Sequence, residues 1–241
     1  MPVRVLEKVH IILCRFARAS EIKTLLQATN IHQSYGALKV LKGIDLTIQQ
    51  GEIVSIVGAS GAGKSTLLHI LGTLDNADKG EVRFSGQLVN NFNSNELARF
   101  RNRHIGFIFQ FHNLLPEFTA HENVCLPGFL AKAPEEEVKQ RAVSLLRMLN
   151  LGHRLDHKPS EMSGGEQQRT AVARALINSP EIIFADEPSG NLDSANAHEL
   201  HEIFFSLRAQ LNQTFVIITH NEQLANMADR KLVMKDGFIL N

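Results

Sequence analysis

The stretch EIVSIVGASGAGKSTLLHIL, residues 52–71, decides the fold. EIVSIVG (52–58) reads as a buried apolar strand ending in glycine, and GKSTLLHILGTL (63–74) reads as a helix. Between them GASGAGKS (58–65) matches GxxxxGK[ST]. A strand, a glycine-rich turn and a helix in that order make a phosphate cradle. Backbone N–H groups curl round the anion, and the helix N-terminus adds positive potential. The cradle is read over Gly58, Ala59, Ser60, Gly61, Ala62, Gly63, Lys64, Ser65 and Thr66. Lys64 would hold the β- and γ-phosphates, and Ser65 would give an oxygen to Mg2+.

Outward from this unit the chain alternates strand and helix from Leu25 onward, the α/β pattern. HIGFIFQ (104–110), EIIFADE (181–187) and TFVIITH (214–220) are three more apolar strands. Gly58, Gln110, Asp186 with Glu187, and His220 each fall at a strand's end. If the strands are parallel neighbours, all four clusters share the carboxyl edge of one sheet, where open α/β sheets bind ligands. PEEEVKQRAVSLLRMLNLGH (134–153) predicts a helix with Pro134 in its first turn, Glu135, Glu136 and Glu137 near its positive end, and Gly152 as its stop. Val138, Ala142, Leu145, Leu146 and Leu149 line its buried face.

The residue types at the sheet edge suit phosphoanhydride hydrolysis. Asp186 ends an apolar strand and would hold Mg2+ through water. Glu187 is the general base for an attacking water. The plain alternative, two acids capping the turn at Pro188, loses once the loop at 58–65 is taken together with them. His220 is read as a γ-phosphate contact. Gln110 reads equally as a loop glutamine or as an amide reaching Mg2+ or the attacking water. Tyr35, the one tyrosine, reads as an adenine-stacking ring or as a packed core residue. MSGGEQQR (162–169) precedes TAVARALINSP (170–180), so Ser163, Gly164 and Gly165 stand at a helix N-terminus. That is a second anion site, or a capped and flexible helix entry. One domain rarely needs two cradles for one nucleotide, and a second copy of the chain resolves the excess.

The 241 residues suffice for one large domain, or a core with a subdomain. Lys+Arg and Asp+Glu are both 25, which argues against non-specific nucleic-acid binding. Two cysteines, Cys14 and Cys125, without metal-ligand spacing fit free thiols in a reducing compartment. No apolar run approaches the ~18 residues of a membrane span. Residues 1–24 are read as an extension before a domain at 25–241. Val5, Val9, Ile12, Leu13 and Phe16 fall at helical spacing, the pattern of a membrane-surface helix, but the segment is short.

These residues together resemble the ATP-binding cassette (ABC) ATPases, from about Leu26 to the C-terminus. GASGAGKST is similar to the Walker A motif and IIFADE to Walker B with its catalytic glutamate. Gln110 falls at the Q-loop, His220 at the H-switch, GNLD (190–193) at the D-loop and MSGGEQQR at the signature. Met162 and Glu166 depart from the commonest signature residues. Glu166 is expected to point away from the phosphate. The resemblance implies a P-loop NTPase: a RecA-like core with an antiparallel β edge near 26–50 and 80–90, and an inserted helical subdomain at about 111–165. It implies an ATP hydrolase that pairs head-to-tail with a second copy, so that each ATP lies between one Walker A and the other signature. Lys64, Gln110, Glu187 and His220 would then serve catalysis. Ser65, Gln110 and Asp186 would hold Mg2+. Tyr35, Ser163, Gly164, Gly165 and Asp193 would contact nucleotide.

QFHNLLPEFTAHENV (110–124), LGTLDNADKGEV (71–82) and DEPSGNLD (186–193) resemble, more narrowly, the ATPases of lipoprotein-releasing systems. Macrolide or peptide efflux and cell-division ABC ATPases share the core and stand as alternatives. The implied location is the cytoplasmic face of a bacterial inner membrane. Integral membrane subunits would dock near Gln110–Pro127, at Phe111, Leu114, Leu115 and Phe118. A soluble ABC protein acting on ribosomes or DNA would carry tandem cassettes or a coiled-coil insertion, and a P-loop GTPase an NKxD-like motif. The chain has neither.

Overall fold

The computed structural model describes residues 23–240. Cys14 and the apolar periodicity at Val5–Phe16 lie outside the described residues. The elements run β1 (Thr24–Tyr35), β2 (Leu38–Gln49), β3 (Ile53–Val57), α1 (Lys64–Leu71), β4 (Lys79–Phe84), β5 (Gln87–Leu88), α2 (Ser94–His104) and β6 (Ile105–Phe109). After these come α3 (Ala120–Leu130), α4 (Glu135–Met148), α5 (Gly164–Leu176), β7 (Ile182–Asp186), α6 (Ser194–Leu211), β8 (Thr214–Ile218), α7 (Glu222–Met227), β9 (Arg230–Lys235) and β10 (Phe238–Leu240).

Two sheets form. One is antiparallel throughout, in the order β2-β1-β4-β5. The expected antiparallel edge near 26–50 and 80–90 is therefore a sheet of its own. The other has the order β10-β9-β3-β8-β7-β6, parallel from β9 to β6. Its β10 is antiparallel to β9 and closes one edge as a hairpin. Sequence periodicity missed this hairpin, although KDGF (235–238) carries the Asp-Gly signal for a two-residue turn. Asp236 (φ 51°) and Gly237 (φ 85°) both take the left-handed conformation such a turn requires.

The parallel strands are apolar on both faces because both faces are covered. Val54, Ile56, Ile182, Phe184, Val216 and Ile218 face a core shared with α1 and the antiparallel sheet. Ile53, Ile183, Ala185, Phe215 and Ile217, the alternate residues, face a second core shared with α3 to α7. Successive side chains on a strand point to opposite faces, and these strands obey that alternation residue by residue.

The helix expected over 134–153 stops earlier, at Met148. Gly152 is not its stop. Asn150 takes φ 59°, its N–H donates to the Arg147 carbonyl at 3.1 Å, and the Leu151 N–H donates to the Leu146 carbonyl at 2.8 Å. These two bonds close a Schellman turn with asparagine in the left-handed seat. Val138, Ala142, Leu145, Leu146 and Leu149 are all buried.

Candidate functional site

The loop after β3 is shaped by its neighbours. Gly58 (φ 152°) lies against β9, where a Cβ would stand 2.2 Å from the Met234 carbonyl oxygen. Gly63 (φ 98°) precedes α1 with no side-chain cap, and a Cβ there would press Leu41 at 2.9 Å. The first N–H groups of α1 thus have no side-chain cap, after a turn that glycine alone makes without strain. Lys64 is 6% exposed, and its ammonium donates to the carbonyls of Gly58 (2.9 Å) and Ala59 (3.0 Å). Its charge is folded back over the cradle it belongs to. Ala59, Ser60, Gly61 and Ser65 are exposed, Thr66 is half-buried and Ala62 is buried.

The strand order sets the rest. Because β8 pairs in parallel with both β3 and β7, the residues after β8 lie between the phosphate loop and the acids after β7. His220 Nε2 stands 2.7 Å from Glu187 Oε1. Glu187 holds φ 47°, rare for a residue with a side chain, and its N–H donates to the Ile218 carbonyl at 2.9 Å. The Gln110 amide donates to Asn191 Oδ1 at 3.0 Å, and Asn191 Nδ2 donates back to the Gln110 carbonyl at 3.3 Å. Asn191 was missed as a partner, although it lies inside GNLD. Tyr35 is 53% exposed, so it is no core residue, and its hydroxyl donates to Asp75 Oδ2 at 3.2 Å.

Beneath this edge His201, buried on α6, hydrogen-bonds Ser189 Oγ through Nε2 at 3.2 Å. Burial lowers its pKa, His198 adds to the lowering, and Glu202 opposes it. The folded chain therefore takes up a proton here less readily than the unfolded chain does. Stability from this group is therefore present above the ordinary imidazole range and lost as pH falls through it. Thermal stability should fall more steeply in the wild type than in His201→Gln as pH falls through the ordinary imidazole range. Equal slopes would remove His201 as the cause.

The signature segment forms the start of α5. Ser163 is the N-cap, accepting from the Glu166 N–H at 3.2 Å, while Glu166 Oε2 accepts the Ser163 N–H at 2.8 Å, a complete capping box. Arg154 Nε donates to Glu166 Oε1 at 2.8 Å. Burial works to raise the Glu166 pKa, but the Ser163 N–H and the Arg154 guanidinium bring it down to about 2. The carboxylate is thus committed to its own cap. Met162 is buried in the second core, where a leucine's volume also fits.

The two glycines differ. A Cβ at Gly164 would meet only Leu192 Cδ2, at 3.7 Å, so that position is open. A Cβ at Gly165 would lie 2.1 Å from Asn196 Oδ1 on α6. Gly165 therefore has a packing reason inside the chain, in addition to the phosphate approach read from sequence. Asp193 N-caps α6, accepting from the N–H groups of Ala195 (3.0 Å) and Asn196 (2.9 Å). The Asn196 N–H, chief among these, lowers its pKa. Asp193 and the signature glycines are neighbours through Leu192 and Asn196. Among the described residues, no hydrogen bond or ion pair joins Gly58–Ser65 to Ser163–Gly165.

Beyond Gln110 the chain crosses the surface with Phe111 71% exposed, Leu115 and Phe118 exposed, and Leu114 half-buried. A groove of about 320 Å³ beside it is lined by Asn102, Phe107, Phe109, Asn113, Pro127 and Arg174 among others.

The sequence profile of the ABC transporter family matches residues 41–190. The lipoprotein-releasing system ATP-binding protein LolD of Cytophaga hutchinsonii is 61% identical over 219 residues, covering 91% of this chain and all of that protein. The protein of the same name from Bacteroides fragilis is 57% identical over 216 residues, covering 90% of this chain and all of its own length. Among solved structures, the dimeric structure of MJ0796, described as a bacterial ABC transporter cassette, is 39% identical with a TM-score of 0.83, covering 90% of this chain and 97% of that one. A post-hydrolysis dimer of the same cassette, bound to ADP and Pi, is 38% identical with the same TM-score and the same coverage of both chains. In motif, strand order and overall sequence alike, the chain belongs to the ABC transporter family, as one of its ATP-binding cassettes.

Proposed function

We propose that this chain is the ATP-hydrolysing subunit of a transporter that releases lipoproteins from the bacterial inner membrane. The hydrolytic reading is carried by one observation: the 2.7 Å contact between Glu187 and His220 on the sheet edge shared with the Lys64 loop. The cargo class is supported by near-complete alignment with proteins named for lipoprotein release. Among the described residues no helix is long and apolar enough to cross a membrane, so the path for cargo would come from separate integral subunits. They would seat on Phe111, Leu115 and Phe118 and the groove beside them.

Two copies would pair head-to-tail, as the related cassette does in its dimeric structures. Each Lys64 loop would then be completed by the partner's Ser163–Gly165, the open side of Gly164 facing the nucleotide. Residues of about 111–165, including α3 and α4, would form the helical subdomain that carries this signature. Ser65, Gln110 and Asp186 offer only oxygen donors, the set that a hard divalent cation shares with water and phosphate. When bound, Mg2+ neutralises charge developing on the phosphates.

The chain's own residues supply the remaining steps. Lys64 and the uncapped N–H groups of α1 balance negative charge at the β- and γ-positions. Tyr35 stacks on the base and, with Asp75 on its hydroxyl, has its ring orientation fixed. Glu187 takes a proton from the attacking water, and His220 packs against its carboxylate at 2.7 Å. Asp193 meets the partner's site.

The test is affinity purification of the full chain from detergent-solubilised membranes, followed by reconstitution of the recovered complex. Integral membrane subunits should co-purify, and ATP should drive release of lipoprotein from the vesicles. Co-purification with an efflux or cell-division complex, and no lipoprotein release, would replace this reading.

A further inference from the structure

The Schellman turn that ends α4 sends the chain back across the start of α5. His153 and Arg154 come to rest there. Arg154 Nε is 2.8 Å from Glu166 Oε1, and His153 Nε2 is 3.6 Å from the same oxygen. The other carboxylate oxygen holds the Ser163 N–H at 2.8 Å. Glu166 is only 9% exposed, so water does little to screen it.

This arrangement poses an electrostatic conflict. A helix N-terminus attracts an anion through its partial positive charge. A carboxylate in the first turn takes up that potential and repels a second anion brought to the same end. A neutral glutamine could fill the same capping role without the charge. Here the charge is present, because the Ser163 N–H and the Arg154 guanidinium hold the carboxyl's pKa low against the effect of burial. The guanidinium comes from the preceding turn and not from α5 itself, so nothing in the cap geometry demands it.

We propose that Arg154 is a positioning residue of the signature: by neutralising Glu166 it keeps the N-terminus of α5 attractive to the phosphates of a nucleotide held by a second copy of the chain. This rests on the head-to-tail reading above. It assigns to Arg154 the electrostatic state of the site, with no contact to the nucleotide.

The test uses the full chain carrying Glu187→Gln, with ATP-driven dimerisation followed by sedimentation. Adding Arg154→Met should weaken dimerisation about tenfold. Adding Glu166→Gln to that variant should return it to within about twofold of the parent, because the unbalanced charge is gone. Arg154→Lys should retain most of the dimer. Binding of a fluorescent ATP analogue to the monomer should be the same in all of them, which separates a signature effect from damage to the Lys64 loop. If Arg154→Met dimerises like the parent, or the double variant stays as weak as the single one, the proposal is wrong. A melting temperature lowered equally in both variants, with dimerisation tracking it, would also overturn it in favour of a packing role. A parent that stays monomeric with ATP brings down the head-to-tail reading itself, and that failure is recognisable because it appears with Arg154 intact.

Discussion

Glu187→Gln should lower ATP hydrolysis by about a hundred- to ten-thousand-fold, the span expected when a positioned general base is lost. ATP binding should survive, because Glu187 is not part of the loop that carries Lys64. The substitution is nearly isosteric, and the glutamine carbonyl can keep the place of the carboxylate oxygen that now lies 2.7 Å from His220 Nε2. What it cannot do is take a proton. The left-handed backbone at Glu187 is unaffected by the change, so the turn is retained. Phosphate release should collapse while ATP-loaded dimers accumulate, and measuring both on one preparation decides the matter. Turnover at the wild-type rate would show that the base lies elsewhere.

Gly164→Asp should be almost as damaging, for a reason outside the chain that bears it. A Cβ at 164 meets only Leu192 Cδ2, at 3.7 Å, and an aspartate in the first turn suits the helix dipole. The variant should fold normally. Its carboxylate would oppose the phosphates of a partner's nucleotide, and hydrolysis should fall by about a hundred-fold or more. Lys64→Ala should fail independently, by loss of phosphate binding in its own loop. Mixed together, the two defective chains should regain nucleotide occlusion, because a heterodimer pairs one intact loop with one intact signature. With random pairing about a quarter of the wild-type sites should reappear. Failure of the mixture, with both chains folded and heterodimers detected, would show that signature and loop do not act across the pair.

Much of this was legible before any coordinates. The parallel strands are continuous apolar runs, and GxxxxGK[ST] between a strand and a helix has few physical meanings. Gln110, Asp186, Glu187 and His220 could be assigned to one edge from their positions after strands alone. Their order along that edge could not. It depends on β8 lying between β3 and β7, a tertiary choice that leaves no local trace and that sets His220 against Glu187. The stop of α4 was misjudged for a related reason. Glycine is the commoner left-handed residue, so Gly152 drew the reading, while Asn150 closed the helix through bonds that need Leu151 to be buried. Arg154 gave no signal because a lone arginine after a helix is ordinary, and its partner is twelve residues away. The packing of Gly165 against Asn196 was hidden in the same way, since Asn196 lies on a different helix.

The contact of Gly165 with Asn196 has a consequence for the kinetics of the proposed pair. The close approach leaves no room for a side chain between the signature end of α5 and the capped end of α6, and Arg169 on α5 makes a 2.6 Å bond to Glu199 on α6. The signature glycines and Asp193, both proposed to meet a second copy, therefore sit on adjoining helix ends. In the proposed pair, once either engaged, the other would arrive at a high effective concentration. Association should then be cooperative within a single encounter, with half-engaged pairs too short-lived to accumulate.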